Sequence, residues 1–188
     1  MLRRPSAATR PAGFATPDKR YSVPIRPIIR YPDPLLKTVC RPVTAFDDRL
    51  RQLVQDLHET MLAAPGVGIT AAHIGVLQRV TVIELDRRDG PRVYVNPEIA
   101  WASPETAEQT EGSISMPGIT ESVTRPRAVR LRYQDVAGAI KEEEADGFLA
   151  TCIQHEIDQL DGIFWLQRLS RLKRDRLLKK WEKSKAGS

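Results

Sequence analysis

A histidine followed directly by a glutamate, His155-Glu156, lies inside a stretch with the apolar spacing of a buried helix. In the H-E-x-x-H pattern of metal-dependent hydrolases, the first and fifth side chains lie one turn apart on the same helical face. Two imidazoles can then reach one metal ion while the glutamate acts as general base. In this chain the fifth position is Gln159. The pattern predicts a helix that turns these side chains toward a pocket, with an incomplete set of metal ligands.

The rest of the chain predicts helices and strands without regular alternation. Apolar residues at three- and four-residue steps predict helices over 46–63, 148–160 and 169–183, and Thr44 is expected to cap the first. Strands are expected over 79–85, 92–95, 129–134 and 139–144, where β-branched or alternating residues occur. His58 falls among polar neighbours and is expected at the surface. Since no strand–helix–strand unit repeats, we expect an α+β fold.

The two ends of the chain are basic and the middle is acidic. Residues 168–188 hold nine basic and two acidic side chains, and residues 1–20 hold five basic and one acidic. Since the net charge is +5, residues 21–167 carry −6. Basic ends predict contact with a polyanion such as RNA. A tail that is merely solvated remains the alternative for the C-terminal segment.

The length of 188 residues is sufficient for one domain with a sizeable core. We expect a disordered basic leader over 1–24, a globular domain over 25–167, and a basic C-terminal helix or tail of the same domain over 168–188. The first 17 residues contain Arg, Ser and Thr without acidic residues, as organelle transit peptides do. Their three prolines and lack of amphipathic periodicity favour a disordered leader instead.

The cysteine content and the hydropathy limit the compartment. Cys40 and Cys152 are too few for a disulfide framework, and no apolar run approaches the roughly 20 residues that span a membrane. We therefore expect a cytoplasmic protein without a membrane partner. A mitochondrion or plastid is the alternative if the leader is a transit peptide.

Two further blocks accompany the His-Glu helix. The first is Gly66-Val67-Gly68-Ile69-Thr70-Ala71-Ala72-His73, whose glycines permit close approach of the backbone to a ligand. The second is Glu111-Gly112-Ser113-Ile114-Ser115. Each block alone is typical of a loop or turn, and the first lacks the spacing of a nucleotide-binding loop.

Taken in order, the three blocks closely resemble the signature motifs of the peptide deformylases, which run G-φ-G-φ-A-A-x-Q, E-G-C-φ-S and H-E-x-x-H. The separations, 40 residues from His73 to Ser113 and 42 from Ser113 to His155, are of the size that this family shows. The resemblance extends to the opening segment 29–36 and to the closing segment 168–174. It thus covers most of the chain.

The resemblance implies an α+β fold in which antiparallel or mixed β-sheets surround the central H-E-x-x-H-type helix, followed by a basic C-terminal helix. It implies metal-dependent removal of the formyl group from N-formylmethionyl nascent peptides, with Fe²⁺, Zn²⁺ or Ni²⁺ held by one cysteine and two histidines. The partners it implies are these peptides and the ribosome, the latter through residues 168–188. No DNA partner is expected.

Residue by residue, the resemblance assigns four retained roles. Glu156 matches the catalytic glutamate and His155 the first helix ligand, while Gly68 lines the substrate groove and the Ile114 N–H contributes to the oxyanion site. Four positions depart from the family. Ser113 replaces the cysteine ligand, Gln159 replaces the second histidine, and His73 replaces the oxyanion glutamine. Thr70 also replaces the first alanine of its block.

These departures predict a weak metal site or none, because a hydroxyl and an amide are poor substitutes for a thiolate and an imidazole. We therefore expect a deformylase-like protein with weak or lost activity that still binds peptides and the ribosome. One alternative is an active hydrolase whose rearranged site uses His73 and His155, with Glu111 or Glu156. In another, the protein is simply a basic module that binds the ribosome or RNA. Cys152, one turn before His155, is expected to pack in the core rather than bind metal.

Overall fold

The structure is a computed structural model that describes residues 25–186, so the predicted leader over 1–24 lies outside the described residues. The helices are α1 (Asp48–Ala63), α2 (Gly147–Leu160) and α3 (Arg171–Ala186). The strands are β1 (Gly68–Thr70), β2 (Val80–Ile83), β3 (Arg92–Ala102), β4 (Thr106–Gly112), β5 (Thr120–Pro126), β6 (Ala128–Gln134) and β7 (Ile140–Asp146). Short 3₁₀ turns occupy Pro34–Lys37, Ala71–Ile74 and Trp165–Arg168.

Two antiparallel sheets organise the fold. Five strands form one sheet in the order β1-β2-β3-β6-β7, and β4 and β5 form a separate two-stranded ribbon. Strand β2 is buried on both faces because alternate side chains pack against different helices. Val80 and Val82 join the core beneath α1, whereas Ile83 joins the core beneath α2. The predicted α+β class with a central helix is therefore confirmed.

Helix α1 begins later than the sequence indicated. Its cap is Asp47, whose carboxylate accepts hydrogen bonds from the N–H groups of Arg49 and Leu50 at 3.1 and 3.2 Å. The prediction that Thr44 caps this helix was wrong, because Asp47 lies directly before the first helical turn and satisfies its free N–H groups. His58 was also misplaced at the surface, since it is only partly exposed and its Nε2 lies 3.1 Å from Glu84 Oε2.

Helix α2 lies between the large sheet and the β4–β5 ribbon. One face packs Ala150, Ile153 and Ile157 against the sheet. The residues on its other faces are also buried although several are polar, and they include Gln154, Glu156, Asp158 and Gln159. Buried polar groups require partners, so this helix carries the residues that define the interior site.

Helix α3 is anchored to the body of the protein. Leu177 and Trp181 belong to the same hydrophobic cluster as Leu36, Phe164 and Trp165. The Trp181 indole N–H also donates to the Tyr31 carbonyl at 3.3 Å. The segment is therefore a helix with one apolar side packed on the body and an opposite side that exposes basic residues.

Three strands were not predicted. Strand β1 falls in the glycine block, where the sequence suggests only a loop. Strands β4 and β5 form a partly exposed ribbon, and the polar residues of β4 give little β signal. Strand β3 extends to Ala102, well beyond the predicted end at 95. Within residues 25–186, no helix is long and apolar enough to cross a membrane.

Candidate active site

A cavity of about 420 Å³ opens between β1, the turn that follows β4, and α2. Six of the seven residues selected from the sequence line it: Gly68, His73, Ser113, Ile114, His155 and Glu156. The seventh, Gln159, does not. Val67 and Phe148 also line the cavity and are 40% and 47% exposed, so its mouth is apolar.

His155 is held by a carboxylate on the neighbouring ribbon. Its Nδ1 lies 2.8 Å from Glu111 Oε2. Burial alone would raise the pKa of Glu111, but hydrogen bonds from His155 and Arg125 outweigh it and lower the pKa to about 2. Burial lowers the pKa of His155, yet the bond to Glu111 and the nearby Glu156 raise it overall. Because Nδ1 carries a proton toward an ionised carboxylate, the Nε2 atom is the ring nitrogen left for the cavity.

Glu156 lies against the backbone of β1. A Cβ atom added to Gly68 would overlap Glu156 Oε1, so only glycine leaves room for this carboxyl group. The other oxygen, Oε2, is buried without a hydrogen-bond partner among the described residues. Burial raises the pKa of Glu156 to about 7, an effect that His155 opposes and Glu111 reinforces. Near neutral pH this group can therefore either accept or donate a proton.

His73 is oriented by Thr70. The Thr70 N–H donates to His73 Nδ1 at 3.0 Å, and Thr70 Oγ1 lies 2.9 Å from the same atom. Since a backbone N–H can only donate, Nδ1 must accept, and the ring proton lies on Nε2. Nε2 is buried and has no partner within residues 25–186. Burial and nearby His155 lower the pKa of His73 to about 3, so the ring is a neutral donor at the cavity wall.

We expect His73 to remain neutral, with its proton on Nε2, between about pH 5 and 8. The unfolded chain would take up a proton at the ordinary value of 6.5, so the free energy of unfolding should fall as the pH drops from about 6.5 toward about 3. Nitrogen-15 NMR of the ring measures the tautomer directly. Thr70→Ala should keep it, because the backbone N–H remains. A ring that titrates near its ordinary pKa, or a proton on Nδ1, would contradict this assignment.

Ser113 opens a tight turn. The Met116 N–H donates to the Ser113 carbonyl at 2.9 Å, and the Ser115 N–H donates to Ser113 Oγ at 3.1 Å. Arg30 fixes the turn from outside through its hydrogen bond to the Ile114 carbonyl. Ser113 and Ile114, the first two residues of this turn, both line the cavity.

Comparison with known proteins decides the family. The family model described as polypeptide deformylase matches residues 25–175. The chain belongs to the peptide deformylase family.

Relatives and solved structures cover most of the chain. It is 65% identical over 161 residues to a "peptide deformylase-like" protein of Agrobacterium fabrum, covering 86% of this chain and 98% of that protein. A "peptide deformylase" of Phenylobacterium zucineum is 49% identical over 162 residues, covering 85% and 96%. The crystal structure of a peptide deformylase from Legionella pneumophila superposes with a TM-score of 0.82 at 38% identity, covering 87% of this chain and 96% of that one.

Within this peptide deformylase fold, the residues at the three metal-ligand positions do not fit a catalytic metal ion. His155 offers one imidazole and Ser113 a hydroxyl that already accepts a hydrogen bond. The Gln159 amide is 2% exposed and donates to the Leu36 carbonyl at 2.7 Å, so it serves the interior packing. Over residues 25–186, no group of three or more His, Cys, Asp or Glu side chains is arranged to hold a metal ion.

The residues proposed as substitute ligands do not complete the set. His73 turns a protonated Nε2 to the cavity, which excludes that atom as a ligand in this tautomer. Cys152 is 8% exposed and packs in the core under α2 as expected, although it also reaches the cavity wall. Burial raises its pKa to about 12, so the thiolate that a metal requires is strongly disfavoured.

The sequence did not reveal the charge network behind the site. Arg125 binds both oxygens of Glu111, at 2.5 and 2.9 Å, and reaches Asp158 at 2.7 Å. Arg168 binds the same aspartate with Nε at 2.8 Å. This chain of alternating charges connects His155, through Glu111, to the start of the basic segment. The only sequence signal was that Asp158 and Glu111 fall inside the family motifs.

Proposed function

We propose that this protein binds N-formylmethionyl peptides in the cavity and that its metal-dependent hydrolysis is weak or lost. The observation that carries the proposal is the contrast between the two halves of the site. Gly68, His73 and Ile114, the residues that would contact a peptide, line the cavity. Gln159, at a metal-ligand position, does not line it and donates to the Leu36 carbonyl instead.

The exposed edge of β1 supports peptide binding. The Val67 carbonyl accepts from the Glu84 N–H at 2.9 Å on the β2 side. Backbone groups alternate sides along a strand, so the N–H and carbonyl of Gly68 point to the open edge beside the cavity. An extended peptide can add there as a further strand, with its first side chain against the apolar mouth.

The formyl carbonyl has donors available in the same cavity. His73 supports this because its Nε2–H has no partner among the described residues, and the backbone N–H of Ile114, which also lines the cavity, is the proposed second donor. A buried donor that lacks a partner favours a ligand that supplies an acceptor, because an unpaired buried polar group costs about 1–3 kcal/mol. A formylated peptide supplies that acceptor as the formyl carbonyl on its amino-terminal nitrogen. The same peptide with a free amino terminus has no carbonyl at that place.

Isothermal titration calorimetry with formyl-Met-Ala-Ser and Met-Ala-Ser tests the proposal. The chelator-treated protein should bind the formylated peptide at least about tenfold more tightly, equivalent to 1.4 kcal/mol. His73→Ala should remove most of this preference, and His73→Gln should restore part of it. Equal affinity for both peptides, or no binding to either, would contradict the proposal.

Gly68→Ala should weaken peptide binding roughly 10- to 100-fold. The added methyl group forces Glu156 from its place, and overpacking of this kind costs about 1–3 kcal/mol. The double variant Gly68→Ala/Glu156→Ala is the matched control, because it removes the carboxyl group that the methyl meets. Calorimetry should show binding partly recovered in the double variant. Equal losses in both variants would contradict the assigned contact.

Ribosome binding through residues 168–188 is part of the proposal. Lys179, Lys180 and Lys183 are exposed on α3 and form no ion pair with the described residues. Other cations of the helix are engaged, as Arg176 and Lys173 both pair with Glu121. The free lysines form the part of the helix available to RNA phosphates.

Replacing Lys179, Lys180 and Lys183 with alanine should weaken ribosome binding and reduce its salt dependence. Each lost phosphate contact lowers the slope of log affinity against log salt by about 0.7–0.9. This variant is preferable to a deletion, because Leu177 and Trp181 hold α3 to the core. Co-sedimentation with ribosomes at several salt concentrations measures the slope. An unchanged slope would exclude these lysines from the interface.

We place the protein in the cytoplasm, where nascent formylated chains and ribosomes occur together. The similar relatives named above are bacterial proteins. Cys40 and Cys152 are both free and buried, which suits a reducing compartment.

A further inference from the structure

Glu111 is the sixth residue of β4, and Ser113 opens the turn that follows the strand. Glu111 reaches His155 Nδ1 at 2.8 Å, and Ser113 lines the cavity that His155 also lines. The replacement of the cysteine ligand by serine therefore gives a hydroxyl-bearing residue to the same cavity that a carboxylate-oriented histidine lines.

We infer that Ser113 is a nucleophile, with His155 as its general base and Glu111 as the group that orients the base, and that it accepts the formyl group without a metal ion. The inference rests on the proposed function, since the acyl donor is the formylated peptide that the cavity is proposed to bind. It extends that function from binding to a slow, metal-independent acyl transfer.

The arrangement has the parts that nucleophilic catalysis by serine requires. A base must lie beside the nucleophile, and a third group must fix the tautomer of that base. Here the Glu111 carboxylate fixes the proton on Nδ1 of His155. No hydrogen bond joins Ser113 Oγ to His155 in this structure, because Oγ accepts from the Ser115 N–H. That bond uses an oxygen lone pair and leaves the hydroxyl proton free for another acceptor.

The same cavity supplies donors for the oxyanion. The backbone N–H of the residue after the nucleophile is a common oxyanion donor, and here that residue is Ile114. The second donor is His73 Nε2–H, which is 1% exposed and has no partner among the described residues. This buried, unpaired donor is an independent sign that a carbonyl oxygen belongs in the cavity.

The reaction balances with water as the only co-reactant. Ser113 Oγ attacks the formyl carbon, and its proton passes to His155 Nε2. The C–N bond of the formamide breaks as that proton moves to the leaving amine, which frees the peptide and leaves a formyl ester on Ser113. Water then attacks the ester carbon and gives a proton to His155. The C–O bond to Oγ breaks, the proton on His155 returns to Oγ, and the product leaves as formic acid, which releases its remaining proton to water to give formate.

An alkyl fluorophosphonate, which bonds covalently to activated serines, tests the inference on the full-length, chelator-treated protein. Peptide mass mapping should locate a single adduct on Ser113, absent from Ser113→Ala. His155→Gln should slow labelling at least about 100-fold, since general-base catalysis contributes roughly 10²–10⁴-fold. Ser122→Ala, which removes a hydroxyl on the β5 ribbon, should leave labelling unchanged.

A second assay follows formate release from formyl-Met-Ala-Ser in excess chelator, alongside calorimetric peptide binding. We expect slow formate release from the natural chain. Ser113→Ala should abolish this release while its peptide affinity stays within a few fold of that of the natural chain. A protein that binds the peptide but gives no Ser113 adduct and no chelator-resistant formate would overturn the inference and leave the proposed function intact. An adduct on Ser113 without formyl-peptide binding would support the nucleophile and contradict the proposed function.

Discussion

The double variant Ser113→Cys/Gln159→His is expected to bind about one metal ion per chain and to release formate from formyl-Met-Ala-Ser when supplied with Fe²⁺ without oxygen. Position 159 lies one turn after His155 on the same helical face, so a histidine there can turn toward the cavity. The cysteine would occupy the turn that already lines that cavity. Glu156, the residue at the family's catalytic glutamate position, is present and lines the same cavity.

The expected gain is large because strong ligands define metal affinity. Loss of a single group that merely orients a ligand costs roughly 10- to 100-fold in affinity or activity. Restoring two direct ligands should therefore raise metal-dependent turnover at least about 100-fold over the natural chain. Gln159→His gives up the bond to the Leu36 carbonyl, which should cost about 1–3 kcal/mol of stability.

Three further variants serve as controls for the restored site. Each single substitution should bind metal poorly, and adding Glu156→Ala to the double variant should keep the metal while abolishing turnover. Metal content by elemental analysis and formate by an enzymatic assay separate these outcomes. A folded double variant that binds no metal would show that the cavity has changed in more than its ligand residues.

Arg125→Ala is expected to lower the free energy of unfolding by about 3–5 kcal/mol. Its side chain is 6% exposed and pairs with the side chains of Glu111 and Asp158, which are 4% and 9% exposed. Truncation would remove the positive charge that neutralises the buried carboxylates of Glu111 and Asp158. Among the described residues, Arg168 pairs with Asp158 alone, so Glu111 would lose its cationic arginine partner. Loss of the Glu111 contact would also loosen the orientation of His155.

Arg130→Ala on the next strand is the matched control. It removes an arginine whose pairing with Glu144 is solvent-exposed, with side chains 50% and 74% accessible. Exposed pairs contribute about 0–1 kcal/mol, so this variant should unfold close to the natural chain. Urea denaturation followed by circular dichroism gives both values. Similar losses in the two variants would contradict the importance assigned to the buried network.

The sequence predicted the parts of the fold that depend on local periodicity. Helices α1 and α2 follow regular apolar spacing, and their bodies lie within two residues of the predicted ends. Strand β1 could not be predicted in the same way, because three residues in a glycine-rich block look like a loop until β2 pairs with them. The β4 strand is mostly polar and is defined by its pairing with β5.

The motifs identified most of the site, and the fold determined its chemistry. Six residues selected by family resemblance do line one cavity. The sequence did not predict the role of Gln159, because its hydrogen-bond partner, the Leu36 carbonyl, lies 123 residues away along the chain. The sequence also did not predict the tautomer of His73, which depends on a hydrogen bond from the Thr70 N–H to Nδ1 at a 3₁₀ turn. Such contacts depend on tertiary geometry that spacing alone does not encode.

Formate release and metal content of the natural chain, measured after anaerobic loading with Fe²⁺ and after treatment with chelator, test most directly whether the site works without a metal ion. We expect little bound iron and a slow turnover that is the same in both preparations. Stoichiometric iron with turnover that appears on loading and disappears with chelator, and that Glu156→Ala abolishes, would contradict this expectation and establish a working metal site without the cysteine or the second histidine.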